Sequence, residues 1–275
     1  MKSGPLAAIA RHLPMLLVTM LMAGPMLWMV GASLKSSAEY AADPTRLWPA
    51  EPHWENYQQA TTVLPFWRAL TNTLVLCAGS VAGTLFSCSL AAYAFARLRW
   101  PGRDLVFGLV IATMLLPWQA TMIPRFLILR ELGLYNSLAA IIVPTFFGEA
   151  FYIFLLRQFF RTIPQELTDA ARIDGCSEWG VFWRVVLPLS TPALVTVALF
   201  QFIAAWNDYG GPLLYLSDPQ KFPLAYGLEQ FVSSHSSETH LLMAAAVLFT
   251  LPILALFFSA QRTFLKGVAT TGLKE

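Results

Sequence analysis

The chain has 275 residues, of which 56% are hydrophobic and only 12% are charged, and its formal net charge is +2. Ordinary soluble domains carry about 25% charged residues, so this composition excludes them and indicates an integral membrane protein. The three cysteines, the four scattered histidines and the lack of a basic patch argue against a disulfide framework, a metal site and a nucleic-acid surface.

Six apolar stretches, taken in chain order, are long enough to cross a membrane. A bilayer core of about 30 Å requires about 20 mainly apolar residues in a helix. The stretches cover about 13–34, 71–96, 105–124, 138–158, 186–209 and 241–264. Only helices or closed barrels satisfy their backbone groups in lipid, and runs of this length are too long for barrel strands. We therefore predict an all-α, polytopic membrane protein with six transmembrane helices.

The first apolar stretch follows the basic residues Lys2 and Arg11, as the apolar part of a signal peptide would. It is longer than a signal peptide and has no clear small-residue cleavage site, so we interpret it as an uncleaved first span. We predict three regions: 1–70 with the first helix and an external loop, 71–265 with a five-helix core, and 266–275 as a tail.

Lysines and arginines are shared unequally between the two sides of the membrane when the spans alternate. One side receives twelve, namely Lys2, Arg11, Arg97, Arg99, Arg103, Arg157, Arg161, Arg172, Arg184, Arg262, Lys266 and Lys274. The other side receives six, namely Lys35, Arg46, Arg68, Arg125, Arg130 and Lys221. Because cytoplasmic segments carry the excess of basic residues, we predict that both termini and residues 159–185 are cytoplasmic.

Four polar residues within or beside the apolar stretches are candidates for a substrate pathway: Gln119, Glu149, Asn207 and Asp208. Glu149 falls near the middle of the fourth stretch, where an ionised carboxylate costs a few kcal/mol. It either hydrogen-bonds a substrate along a pathway or, as we favour, fixes helix packing as a protonated or paired group. Asn207 and Asp208 close the fifth stretch, and there we favour helix capping and loop anchoring over a pathway role.

A polar insert between the fourth and fifth stretches, residues 163–186, is the most informative segment. Thr162 has the hydroxyl of an N-cap, a proline follows in the first turn, and Gln165 stands at the capping-box position, which predicts a helix from about residue 163. Gly175 predicts the end of that helix in a left-handed turn, and Ser177 predicts a second short helix that leads to the fifth stretch. We therefore predict an elbow of two short helices on the cytoplasmic face.

The first helix of this elbow has the composition of a docking surface. Ala170 and Ala171 leave room for a partner to approach closely, while Asp169, Arg172 and Asp174 surround them with charge. The alternative interpretation is an ordinary connecting loop. A helix with a proline start and a glycine stop between two spans is more specific than such loops usually are, so we favour the docking surface.

The insert resembles the EAA loop of permease subunits from bacterial ABC importers. The matching positions are Asp169, Ala170, Ala171, Gly175, Val185, Leu187 and Pro188. Asp169 replaces the usual Glu and Val185 replaces the usual Ile, both of which are mild changes. The resemblance implies that the elbow lies in a cleft of an ATPase. The coupling residues it implies are Glu166, Asp169, Ala170, Ala171, Arg172, Asp174, Gly175, Leu187 and Pro188.

Further segments, over about residues 50–275, resemble the MalG-type carbohydrate permeases. They are Phe66-Trp67-Arg68 with Asn72, Ala91 to Ala94 with Arg97, Ile123-Pro124, Leu132 to Leu134 with Asn136, Phe154 to Phe159, Trp206 to Asp208, and Gln261-Arg262. The resemblance implies half of a sugar channel in the bacterial inner membrane, paired with a second, MalF-like permease and served by an external or lipid-anchored binding protein. It also implies that ATP and Mg²⁺ are held by a dimer of separate ATP-binding subunits, with no cofactor on this chain.

No Gly-x-x-x-x-Gly-Lys-Ser/Thr phosphate loop occurs in the sequence, so we interpret the chain as a transporter subunit rather than an enzyme. An alternative is a transporter driven by an ion gradient through intramembrane carboxylates, but neither inverted repeats nor further buried ionisable groups support it. A membrane-embedded enzyme would need paired catalytic groups at one depth, and no convincing pair occurs. The substrate stays open among monosaccharides, oligosaccharides and glycerol phosphates.

Overall fold

The computed structural model describes residues 5–63, 65–234 and 238–271, and all regular elements within these ranges are helical. This confirms the predicted all-α class. The α-helices are α1 (Pro5–Ser33), α2 (Ser37–Ala42), α3 (Glu55–Val63), α4 (Phe66–Arg97), α5 (Arg103–Ala112), α6 (Trp118–Glu131), α7 (Ala139–Ile142), α8 (Ala150–Thr162), α9 (Gln165–Ile173), α10 (Glu178–Val181), α11 (Leu187–Leu189), α12 (Thr191–Trp206), α13 (Gly210–Tyr215), α14 (Leu224–Ser234) and α15 (Thr239–Thr271). The 3-10 segments Thr113–Leu115, Val143–Phe147 and Pro219–Lys221 and the π-helical segment Phe182–Val186 also belong to this part of the chain.

Three of the predicted spans are single helices that are long and apolar enough to cross a membrane. They are His12–Ser33 within α1, Phe66–Arg97 and Thr239–Ser259 within α15. The other three predicted spans are each a pair of helices separated by a bend. The described ranges therefore contain up to six candidate spans, the predicted number, when each bent pair counts as one.

The third, fourth and fifth predicted spans are broken rather than continuous. The bends lie between Arg103–Leu115 and Trp118–Glu131 (103°), between Ala139–Phe147 and Ala150–Thr162 (40°), and between Glu178–Leu189 and Thr191–Trp206 (78°). At the first bend Leu116 is extended, with ψ of 118°, because a residue that precedes a proline disfavours the α conformation. At the second bend Gly148 has a φ of +86° and Glu149 is extended.

The chain divides into two compact units, Met1–Trp67 with Gly227–Pro252 and Arg68–Tyr226 with Ile253–Glu275. In the first unit, buried polar contacts order the loop after α1. Lys35 Nζ donates to the Asp43 carbonyl at 3.0 Å, and Asn56 Nδ2 donates to the Lys35 carbonyl at 2.8 Å. The topological division at 1–70, 71–265 and 266–275 stays a prediction.

The core of the second unit lies where α4, α8 and the run from α10 to α12 meet. Its buried residues are Cys88, Ala92, Tyr93, Phe95, Tyr152, Ile153, Leu156, Phe160, Ile163, Val181, Phe182, Val186, Ala193 and Val197. Within a membrane, close packing rather than exclusion of water holds helices together. This core therefore attaches the second half of the predicted elbow to the membrane helices.

Helix α4 carries glycines, Gly79 and Gly83, at the positions where the broken fourth span approaches it. A Cβ added at Gly79 would come within 2.8 Å of the Ile142 side chain, and one at Gly83 within 2.6 Å of Phe146. One turn further on, the Ser87 hydroxyl donates to the carbonyl of Thr145 at 2.9 Å. Glycine is therefore favoured at both positions by the close approach of side chains from the fourth span, as small residues are in other membrane helix pairs.

Candidate functional site

The first arm of the elbow is α9, which begins later than the sequence predicts. Thr162 does not cap it, because it is the last residue of α8 and its hydroxyl donates to the Phe159 carbonyl at 2.7 Å. Ile163 is extended because it precedes Pro164, which occupies the N-cap position without a side-chain hydrogen bond. Helix α9 therefore starts at Gln165, and the predicted capping box does not form.

Helix α9 ends just before Gly175, as the sequence predicts. Gly175 has a φ of +85°, the left-handed conformation. The Cys176 N–H donates to the Ala171 carbonyl at 2.9 Å, and the Gly175 N–H donates to the Arg172 carbonyl at 3.0 Å. These are the paired hydrogen bonds of a Schellman motif. A Cβ at Gly175 would meet no atom within 4 Å, so the backbone conformation rather than crowding requires glycine.

The second arm of the elbow begins at Ser177, whose Oγ accepts a hydrogen bond from the Gly180 N–H at 3.3 Å. From there α10, the π-helical segment and α11 form one run, Glu178–Leu189, as the sequence predicts. Leu187 packs against the core and Pro188 begins the last turn before the 78° bend into α12. These two predicted coupling residues therefore lie at the membrane end of the second arm, away from α9.

Arg172 connects the two arms. Its Nη1 donates to Asp169 Oδ1 at 2.7 Å within α9, and its Nε donates to Glu178 Oε1 at 2.8 Å in the second arm. Tyr93 of α4 donates its hydroxyl to Glu178 Oε2 at 2.6 Å. The hydrogen bond that Arg172 donates to the Glu178 carboxylate raises the pKa of Arg172 above its ordinary value. A permanently charged guanidinium thus ties α9, the second arm and α4 together.

Sequence reasoning identified Arg172 but missed both of its cross-helix partners. Glu178 is separated from Arg172 by the Gly175 turn, and Tyr93 comes from a helix far away in the sequence. Spacing rules within one helix relate only residues three or four positions apart. The only available signal was that Tyr93 lies inside one of the segments that resemble the carbohydrate permeases.

The outward face of α9, formed by Leu167, Ala170 and Ile173, is exposed and apolar, and Ile173 is 86% exposed. Trp179 and Trp183 of the second arm are exposed as well. Apolar groups clustered in this way mark a surface for a partner. The predicted coupling residues Glu166, Ala170, Asp174 and Gly175 are exposed, whereas Asp169, Ala171 and Arg172 are partly buried.

A cavity of about 440 Å³, hereafter the membrane cavity, lies in the second unit beside α4, α6, α12 and α13. Its polar or aromatic lining residues are Ser80, Trp118, Arg125, Thr145, Glu149, Gln201, Asp208 and Tyr215. Ligand sites in proteins commonly measure about 300–1,000 Å³ and combine apolar walls with a few polar groups. The membrane cavity has both the size and the composition of such a site.

Two of the predicted pathway residues, Glu149 and Asp208, meet at the membrane cavity, and Arg125 joins them there. Arg125 lines the same cavity as both carboxylates and Tyr215. The Tyr215 hydroxyl is buried and has no hydrogen-bond partner among the residues that the structure describes. The cavity therefore offers carboxylate acceptors, a cationic donor and an unused hydroxyl within one space.

The other two predicted pathway residues do not line the membrane cavity. Asn207 is the C-cap of α12, and its Nδ2 donates to the Ile203 carbonyl at 2.8 Å. Gln119 is exposed in the first turn of α6. Asp208 lines the cavity and also anchors the loop, because its Oδ1 accepts the Gly211 N–H at 2.9 Å. Glu149 is the extended N-cap residue of α8 rather than part of a continuous helix.

The sequence is similar to those of known transport proteins. Residues 83–270 match the protein family described as binding-protein-dependent transport system inner membrane component. The sulfoquinovosyl glycerol transport system permease protein SmoH of Agrobacterium fabrum is 34% identical over 251 residues, which cover 91% of this chain and 88% of that protein.

Two solved chains share the fold. One, from the crystal structure of a bacterial ABC transporter involved in the import of the acidic polysaccharide alginate, has a TM-score of 0.81 and 25% identity, covering 96% of this chain and 98% of that chain. The other, from a bacterial alginate ABC transporter in complex with an alginate pentasaccharide-bound periplasmic protein, has a TM-score of 0.70 and 16% identity, covering 94% and 96%. The second likeness is one of fold alone.

Proposed function

The chain belongs to the family of inner membrane components of binding-protein-dependent transport systems, and we propose that it is a permease subunit of an ATP-driven sugar importer. A sulfoquinovosyl glycerol permease and an alginate importer among its relatives support a sugar or sugar derivative as the cargo. In this proposal the chain forms half of the translocation pathway. Hydrolysis of ATP, with its Mg²⁺, takes place on a separate subunit, and this chain binds no cofactor.

The observation that carries the coupling part of this proposal is the contact of Arg172 with both arms of the elbow. We propose that the outward face of α9 lies in a cleft of the ATPase. Because Arg172 connects α9 to Glu178, a displacement of α9 is transmitted to the second arm instead of being absorbed at the Gly175 turn. The elbow then acts as a rigid lever, which coupling between a motor and a membrane domain requires.

The second arm leads directly to the membrane cavity. It ends at Leu189, α12 begins at Thr191, and Gln201 of α12 lines the cavity, as does Asp208 just beyond the helix end. A rotation of the second arm that passes through the 78° bend into α12 would therefore move cavity-lining residues. We propose that closure of the ATPase dimer on ATP moves the elbow and opens the cavity outward, and that hydrolysis restores the inward-open state.

We propose that the membrane cavity is part of the sugar pathway. The carboxylates of Glu149 and Asp208 can accept hydrogen bonds from sugar hydroxyls, and Arg125 can donate to them. The ring of Trp118 presents a flat apolar surface that suits the C–H face of a pyranose. A few fixed polar groups on an apolar wall orient a ligand without holding it too tightly to leave.

The orientation and the partners follow from the same proposal. The unequal distribution of basic residues supports a cytoplasmic location for the elbow and for both termini. A second, MalF-like permease would complete the channel, and two ATP-binding subunits would engage the elbows. The family description supports an external or lipid-anchored binding protein that delivers the sugar.

The proposal is tested by reconstituting the chain with its permease partner, its ATPase subunits and its binding protein in liposomes and measuring the uptake of labelled sugars. We expect uptake that requires internal ATP and the loaded binding protein. Uptake that continues without ATP but stops when the proton gradient collapses would instead indicate an ion-driven transporter. In the same complex, Gly175→Pro and Asp169→Lys should abolish stimulation of ATP hydrolysis by the loaded binding protein, and normal stimulation in both would remove the elbow from the mechanism.

A further inference from the structure

A second cavity, of about 460 Å³, lies beside the elbow at the ends of α4, α5 and α8, and we call it the arginine cavity. Six guanidinium groups line it, namely Arg97, Arg99, Arg103, Arg157, Arg161 and Arg172. Asp104 is the single carboxylate among its lining residues, while Arg172 is already paired with Asp169 and Glu178 outside the lining. Like charges around one space repel each other, most strongly where water is restricted. An anion bound in this cavity would therefore reduce the repulsion between the guanidinium groups.

The internal charge compensation of the arginine cavity is incomplete. Asp104 is engaged by Arg103, whose Nε lies 3.0 Å from Oδ1, and the Arg157 Nη2 lies 3.8 Å from the same oxygen. Arg157 is only 8% exposed, and its guanidinium sits 4.0 Å above the centre of the Phe107 ring. Burial of a cation costs free energy when its counter-ion is distant and shared. A further negative charge beside Arg157 would therefore be stabilising.

Three further arginines form no ion pair within 4 Å in the part of the chain that the structure describes. Arg97 donates to the carbonyls of Phe160 and Ile163 at the end of α8, while its Nε is buried without a partner. Arg99 and Arg161 are exposed. The planar guanidinium group of arginine can donate hydrogen bonds to two phosphate oxygens at once. Several guanidinium groups around one space therefore fit a phosphate group better than a lone carboxylate.

The arginine cavity lies on the opposite side of α9 from the proposed ATPase surface. Gln165 and Thr168 line the cavity, and Thr168 is only 1% exposed. Leu167 and Ile173 belong to the outward face instead. Residues at these positions point to different sides of a helix with 3.6 residues per turn. A partner bound to the outward face would therefore contact a different side of α9 from the cavity, which argues against an acidic segment of that partner as the occupant.

The surroundings of the arginine cavity point to a lipid. Helix α5 starts at Arg103 and carries Leu105, which is 71% exposed, and the exposed Leu109 one turn further on. Trp100, a residue type that favours the membrane interface, is exposed between Arg99 and the start of α5. We propose that the arginine cavity binds the phosphodiester headgroup of an acidic phospholipid, with its acyl chains along α5. Basic pockets between membrane helices on the cytoplasmic side are suited to such headgroups.

The test uses the intact complex in nanodiscs made of equal parts phosphatidylcholine and phosphatidylglycerol, followed by native mass spectrometry of the lipid that remains bound. We expect preferential retention of phosphatidylglycerol by the wild-type complex. Arg99→Gln combined with Arg161→Gln should lower that retention roughly tenfold, since each basic residue near the headgroup contributes appreciably to anionic lipid binding. Arg68→Gln combined with Arg130→Gln, two exposed arginines that do not line the cavity, is the matched control and should retain the lipid.

Each other outcome overturns the proposal. Equal retention of both lipids, or retention unaffected by the Arg99 and Arg161 substitutions, would remove the lipid site. If millimolar inorganic phosphate displaced phosphatidylglycerol, free phosphate would be the ligand. If the double variant retained the lipid normally but lost the ATPase subunits, the ligand would be an acidic segment of a partner. If the double variant fails to assemble, the proposal is tested by thermal unfolding of the wild-type complex instead. Phosphatidylglycerol should raise the midpoint of unfolding more than phosphatidylcholine does. Equal midpoints in the two lipids would contradict the proposal.

Discussion

Arg172 and Glu178 face each other across the Gly175 turn, with Nε 2.8 Å from Oε1 and Nη2 3.3 Å from Oε2. The side chains are 31% and 47% exposed, and ion pairs exposed to this degree contribute about 0–1 kcal/mol to stability. The contact therefore matters less for folding than for the angle between the two arms. It favours one angle between the two short helices.

Arg172→Gln should uncouple ATP hydrolysis from the loaded binding protein without unfolding the complex. The loss of both ion pairs frees α9 to move relative to the second arm, so the loaded binding protein should stimulate ATP hydrolysis several-fold less than in the wild type. Thermal stability should fall by about 1 kcal/mol or less. The measurement is ATPase activity with and without the loaded binding protein, beside a thermal unfolding curve.

A charge swap controls this experiment. Arg172→Glu combined with Glu178→Arg should restore part of the stimulation that either single substitution removes, because a direct contact shows a coupling energy in a double-mutant cycle. Purely additive losses would show that the two residues act on coupling separately.

Substitution of Gly175 should reveal the requirement for a left-handed backbone. An L-residue in this conformation costs about 1–2 kcal/mol, and Asn tolerates it better than Ala. We therefore expect Gly175→Ala to reduce ATPase stimulation more than Gly175→Asn, although a Cβ at this position meets no neighbour within 4 Å. If both variants behave alike, the left-handed turn has no part in coupling.

Gly83→Ala should destabilise the membrane domain. The added Cβ would overlap Thr145 and Phe146, and such overpacking costs about 1–3 kcal/mol. Gly24→Ala is the control, because a Cβ at Gly24 would meet no atom within 4 Å. The midpoint of thermal unfolding in detergent should fall for Gly83→Ala alone, and equal midpoints would argue against the close approach at α4.

Glu149→Gln and Asp208→Asn should slow sugar uptake at low sugar concentration. A hydrogen bond to a charged group contributes about 1.5–3 kcal/mol, so a loss of roughly tenfold or more is expected for each variant if the carboxylate contacts the cargo. Gln119→Ala and Asn207→Ala are the controls, since neither residue lines the membrane cavity. Reduced complex yield with unchanged apparent affinity would assign Glu149 to packing instead.

Ile173→Asp should weaken the attachment of the ATPase. Central apolar anchors of an interface commonly cost at least about 2 kcal/mol when removed, and Ile173 is the most exposed large apolar residue of α9. Leu47→Asp, at an exposed apolar position in the first unit, should leave assembly unchanged. Co-purification of the ATPase subunits is the measurement, and undiminished recovery with Ile173→Asp would exclude the outward face as the docking surface.

Much of this protein could be predicted from the sequence because the decisive forces are local or compositional. The cost of placing polar groups in lipid identifies the apolar stretches and the all-α class without reference to neighbours. Gly175 and Ser177 locate the turn and the start of the second arm because backbone conformation and capping depend on adjacent residues. The spacing from Asp169 to Pro188 likewise sufficed to indicate the family.

Only the tertiary structure determined which distant groups share one space. Arg125, Glu149 and Asp208 come from three broken spans and meet at the membrane cavity because those spans bend, and the bends depend on packing as well as on single prolines or glycines. Thr162 illustrates the same limit, since its hydroxyl bonds back to its own helix and leaves α9 uncapped. Local preference states what a residue can do, whereas the partner it finds depends on chain segments that are far apart in sequence.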